Sequence, residues 1–208
     1  MKTKRVLKIA EVFFRLLFVG IIALMLSLVF VFIHSSIAPQ KYEKVMVSDK
    51  SFMIINKIDA EKAPQTQAEW ETSTKKDFRL PYLLLTSKIQ LFLRIFLNLI
   101  PALFIIFYLI KFLKSVRNYT TFFGANSLYF KKIGIWLTAS FCVFLYYSYF
   151  GLTLKMQLPQ DNYFVAHSYT NIDLGAMLQY GFFITLALIA SFVFKEGESL
   201  RNENELTI

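Results

Sequence analysis

The longest apolar stretch of the chain runs from Leu16 to Ile33, eighteen residues with no charge and with Ser27 as the only polar side chain. A helix rises 1.5 Å per residue, so about 20 such residues cross a hydrocarbon core of about 30 Å. Backbone groups in lipid must bond within their own segment, which leaves a helix as the conformation for so long a run. The pattern therefore predicts a first membrane span over about 16–36. Three more runs of spanning length follow, over about 91–110, 133–153 and 174–194. The second is interrupted by Arg94, Asn98 and Pro101, while the third and fourth carry no charge. The expected fold is an all-α membrane protein, a single domain of four transmembrane helices over residues 1–208. The basic start at Lys2, Lys4 and Arg5 could also open a secretory signal. Against cleavage, the apolar run exceeds the usual 7–15 residues of a signal core, and Pro39 would directly follow the cut.

The polar positions divide just as sharply. Residues 38–80 hold eight basic and seven acidic side chains, a solvated composition that predicts a small polar segment outside the cytoplasm. Within it, Val45 to Ile58 is rich in β-branched and aromatic residues and predicts a strand or two; Ala60 to Asp77 reads as a loop, and the pattern turns helical from Pro81. Lys and Arg flanking the spans are retained in the cytoplasm. They gather at Lys2, Lys4, Arg5, Lys8 and Arg15, and at Lys111, Lys114, Arg117, Lys131 and Lys132. Both termini and the 111–132 loop are thus expected on the cytoplasmic side, and the chain in a bacterial inner membrane.

Composition changes this picture little. The chain is 208 residues long and 56% hydrophobic, with a net charge of +9 and a mean hydropathy of +0.48; the apolarity excludes an ordinary soluble domain. The N-terminal fifteen residues (five basic, one acidic) and the 111–132 loop (five basic) supply all of the excess. The positive charge then records orientation and contact with membrane lipids rather than a nucleic-acid site.

Candidate chemistry is sparse. The single cysteine, Cys142, excludes an internal disulfide or a thiolate cluster. His34 and His167 lack metal-ligand spacing, even with Asp161 or Asp173 considered as partners, and no glycine-rich phosphate loop or nucleophile elbow occurs. No metal, cofactor or catalytic group is expected. Arg94, sixteen positions before the end of its span, is expected to snorkel outward, and Pro101 to kink the helix near Asn98. Trp136, Tyr146, Tyr147 and Tyr149 resemble an interfacial belt. Gly134 with Thr138, and Ala187 with Ser191, offer small surfaces for close helix approach.

The most specific stretches lie on the cytoplasmic side. Phe122 to Asn126 precedes the basic run into the third span, with Asn126 or Ser127 suited to cap a helix. The segment 195–208 continues the phase of the fourth span through Phe194, Gly197 and Leu200, carries Glu196, Glu203 and Glu205, and closes on Leu206, Thr207 and Ile208.

These two segments resemble the bacterial membrane family catalogued as domain of unknown function 2975. The tail resembles that family's ending, a Phe-basic-Glu-Gly start followed by Leu and an acidic stretch closing on Leu-Thr-Ile. The loop resembles its Gly-x-Pro-Phe-x-x-x-Asn stretch: Phe122, Asn126, Ile133 and Gly134 match, whereas Tyr119 stands in place of Gly and Thr121 in place of Pro. The resemblance extends over the four-span layout and about forty cytoplasmic residues, and takes nothing from the outer segment. It implies a compact four-helix membrane protein, and a cytosolic partner of the helix-turn-helix regulator type. The expected function is non-enzymatic: a surface of Phe122, Asn126, Glu196, Gly197, Leu200, Glu203, Glu205, Leu206 and Ile208 that docks such a partner. The alternative is a small carrier or channel with a path lined by Arg94, Asn98 and Gln179.

Overall fold

The computed structural model describes residues 2–42, 46–48, 77–118, 124–157, 163–168 and 173–206. Four long helices dominate: α1 (Lys2–Ile37), α2 (Leu85–Asn118), α3 (Gly124–Phe150) and α4 (Leu174–Leu206). Each is long and apolar enough to cross a membrane. The protein is a multi-pass membrane protein with four transmembrane helices.

Every helix runs past the span read from hydropathy at one end or both. The 111–132 loop shrinks most, because α2 continues to Asn118 and α3 starts at Gly124. Asn126 and Ser127 lie inside the first turn of α3 instead of capping it. α2 passes through Pro101 as one helix. α3 stops three residues before the expected 153, because Gly151 adopts φ 64°, a left-handed conformation that ends the helix at little cost to glycine. Its N–H donates to the Tyr147 carbonyl at 3.0 Å. α4 opens on Asp173, whose carboxylate accepts the Ala176 N–H at 3.1 Å, a helix cap that gives this acid a structural role.

Two short antiparallel ribbons join the helices. β1 (Met46–Ser48) pairs with β2 (Asp77–Arg79), placing Val47 opposite Phe78. β1 falls where a strand was expected; the rest of Val45–Ile58 lies outside the described residues. β3 (Leu152–Gln157) and β4 (Tyr163–Ser168) pair from Leu152 opposite Ser168 to Gln157 opposite Tyr163. This second ribbon was not foreseen, because hydropathy assigned residues 151–153 to the third span. Turns of 3-10 helix at Pro39–Tyr42 and Leu80–Tyr82 flank the first ribbon.

The chain packs as two units. Unit 1 comprises residues 1–24, 97–144 and 173–208, and unit 2 comprises 25–96 and 145–172. Unit 1 is a four-helix bundle. Along its α3–α4 seam, Ser127 meets Ser191, Gly134 faces Ala187 and Leu188, and Ser140 meets Tyr180. Numbers fall on α4 as they rise on α3, so the helices are antiparallel. The α2–α3 seam is aromatic and equally antiparallel: Phe112 on Phe130, Tyr108 on Tyr129, and Phe104 stacked on Trp136 at 4.2 Å. Trp136 thereby packs within the seam.

In unit 2, Phe32 meets Phe92 edge-on and the Lys88 ammonium donates to the Ser35 carbonyl at 3.3 Å. The start of α2 also grips the second ribbon: Leu84 N–H donates to the Lys155 carbonyl, and Lys155 N–H donates to Ser87 Oγ at 2.6 Å. Arg94 does not simply reach for the interface; its guanidinium sits 5.2 Å from the Tyr147 ring centroid, a cation–π contact. Tyr147 is buried there, while Tyr146 and Tyr149 are exposed as belt residues should be.

Burial differs from that of a soluble protein. Among the described residues, the largest fully buried side chains are Leu80, Asn126, Ser35 and Ser87, three of the four polar, while Leu16, Leu178 and Phe192 lie exposed. Lipid tails are as apolar as leucine, so such faces need no protein cover, whereas polar groups must turn inward.

Candidate functional site

The polar centre of unit 1 is built on Glu11. Its carboxylate is 4% exposed and takes charge-assisted hydrogen bonds from two guanidinium groups. Arg15, one turn along α1, donates at 2.5 Å, and Arg117, near the end of α2, donates at 2.6 Å. The two arginines differ in setting, since Arg15 is 59% exposed and Arg117 31%. A buried carboxylate held by two partly solvated cations ties α1 to α2 at one end of the bundle. Sequence reasoning missed this centre. Its local signal was present: Glu11 is the only acid among the first fifteen residues, and it stands four before Arg15, the favourable spacing on a helix.

Close to Arg117 in sequence, Phe112 anchors an aromatic cluster. Phe130 stacks on Phe194 with ring centroids 5.5 Å apart, and Phe112 meets both edge-on at 4.9 and 6.0 Å. The cluster joins α2, α3 and α4 where α4 becomes the expected tail. At the same level of the seam, Ser191 Oγ donates to the Ser127 carbonyl at 3.0 Å. Beyond Phe194, α4 leaves its support stepwise: Gly197 is half-buried and Leu200 is 55% exposed. Glu196, Leu200 and Glu203 are all exposed and recur at i, i+4 and i+7, so they share one face of the helix.

The expected docking residues therefore separate. Glu196, Leu200 and Glu203 form an exposed stripe, and Gly197 lies beside it. Asn126 has no exposed surface, so it belongs to the packing of α3 and not to a contact face. Glu205 and Leu206 continue the helix, with nothing described of their side chains, and Phe122 and Ile208 lie outside the described residues. Of the carrier residues, Gln179 points out of unit 1. His34 stacks on Phe30 and meets Tyr42 edge-on. Among the described residues, no three of His, Cys, Asp and Glu converge as metal ligands do.

The profile of the family described as a protein of unknown function, DUF2975, matches residues 53–208. This chain belongs to that family. The match corrects the extent read from the sequence: it takes in most of the outer segment and α2 to α4, and leaves α1 out. Family membership thus covers the tail stripe, the aromatic cluster and Arg117, whereas Glu11 lies on the helix outside the match. No curated relative and no solved structure matches the chain.

Proposed function

We propose that this DUF2975 protein is a non-enzymatic membrane anchor whose α4 extension docks a cytosolic partner, with both helical termini on the cytoplasmic face of a bacterial inner membrane. The observation that carries the reading is the stripe of Glu196, Leu200 and Glu203. An apolar side chain flanked by acids, on a helix already formed and fastened at its base by Phe112, Phe130 and Phe194, is suited to helix-in-groove recognition. A prefolded helix also avoids much of the ordering cost of a flexible peptide. The acidic flanks favour a basic partner, and a helix-turn-helix regulator, the partner class implied by the family resemblance, presents such a surface. A membrane anchor of this kind would hold the regulator away from DNA. The exposure of Gln179 favours this reading over the carrier alternative.

Deletion of Leu200–Ile208 tests it in cells. The regulator should shift from the membrane to the cytosolic fraction on fractionation, and Leu200→Asp should do the same with the chain length intact. A partner that stays with the membrane in both variants refutes the role of the tail.

A further inference from the structure

The N-terminal part of α1 carries a groove that neither the ion cluster nor the tail uses. It has a volume of about 400 Å³ and is lined by Arg5, Lys8, Ile9 and Val12. Arg5 and Lys8 are exposed cations at helix spacing. The nearest acid along the helix, Glu11, is buried and committed to Arg15 and Arg117. From Lys8 onward the same face turns apolar and stays open. Ile9 is 70% exposed, Val12 49%, Leu16 67% and Val19 61%, and their spacings of three and four residues keep them in one line.

This order, two cations followed by an exposed apolar stripe reaching into the first span, matches the order of parts in an anionic phospholipid. We propose that the groove is a specific site for such a lipid. The groove itself is almost wholly apolar, the stems of Arg5 and Lys8 included, so the lipid's glycerol and first methylenes would lie in it against Ile9 and Val12, its phosphate at the rim beside the charged heads of Arg5 and Lys8, and its acyl chain along Leu16 and Val19. The groove is within the size range of small-ligand sites and fits the glycerol region with the start of the chains, leaving the rest in bulk lipid. Charge complementarity selects an anionic over a zwitterionic lipid. The apolar floor selects a lipid over a soluble phosphate, which would gain nothing from Ile9 or Val12. This proposal does not rest on the docking role of the tail.

The test uses the full chain purified in detergent, with phosphatidylglycerol and phosphatidylcholine of identical acyl chains titrated and retention read by native mass spectrometry. The parent should retain phosphatidylglycerol preferentially. Arg5→Gln with Lys8→Gln should weaken that binding about thirty-fold, the worth of two cations near a membrane surface. Val12→Trp, which fills the groove and keeps both charges, should weaken it as well. All three substituted positions are exposed, so an unchanged melting temperature will show that the variants fold. Equal retention of the two lipids by the parent, undiminished phosphatidylglycerol binding in both variants, or full competition by glycerol phosphate would each overturn the proposal.

Discussion

Glu11 shows how a single carboxylate can be worth more than its place in a charge count. Burying a charge is costly unless it is paired and hydrogen-bonded, and Glu11 meets that condition only because Arg117 reaches it from 106 positions away. In the sequence the residue merely lowers an N-terminal cluster from five positive charges to four. Its partner across the bundle was read as a loop residue serving orientation. The Glu11–Arg15 half of the site was legible from spacing; the Glu11–Arg117 half needed the helix packing. A double-mutant cycle of Glu11→Gln and Arg117→Leu, followed by thermal unfolding in micelles, should return a coupling of about 1.5–3 kcal/mol, the range for hydrogen bonds to charged groups. The Glu11–Arg15 cycle should fall below about 1 kcal/mol, because solvent screens the more exposed cation. Additive losses in the first cycle would remove Glu11 as the tie between α1 and α2.

At the scale of elements, the helices themselves were legible because runs of about twenty mostly apolar residues leave few alternatives. Their ends were not. Hydropathy has no term for Gly151, so the third span was drawn into β3, and it treated 111–132 as one loop although helical phase runs through most of it. The tail was read correctly as continuing α4, since Phe194, Gly197 and Leu200 keep the period. Small residues on α3 and α4 were also visible, but their pairing was not: Gly134 lies against Ala187 and Leu188 of α4, whereas Thr138 bonds back to the Gly134 carbonyl at 2.9 Å. A Cβ added at Gly134 would meet its nearest neighbour at 3.7 Å, ordinary contact distance. Gly134→Ala should therefore be tolerated, and improved helix propensity should offset any loss. Gly134→Leu should lower stability by about 1–3 kcal/mol through overpacking. Thermal unfolding of the two variants separates these outcomes. Equal destabilisation by Ala and Leu would mean that the seam is tighter than this geometry allows.

For the whole molecule, the decisive quantity is orientation, since a docking stripe serves a cytosolic partner only if it faces the cytosol. The positive-inside argument rests on ten basic residues in the N-terminal segment and the 111–132 region, against one acid in the same stretches, Glu11. The ion cluster adds a second consideration. Because Glu11 and Arg15 of α1 join Arg117 of α2, the early residues of α1 and the late residues of α2 meet at one end of the bundle, and inversion of either helix alone would break the pair. With Cys142 replaced by Ser, single cysteines can be placed at two exposed positions, Gln40 just after α1 and Ser199 in the α4 extension. In intact cells a membrane-impermeant maleimide should label position 40 and spare position 199, and permeabilisation should open both. Labelling of 199 in intact cells would invert the protein and end the case for a cytosolic partner, while leaving the fold and the lipid groove untouched.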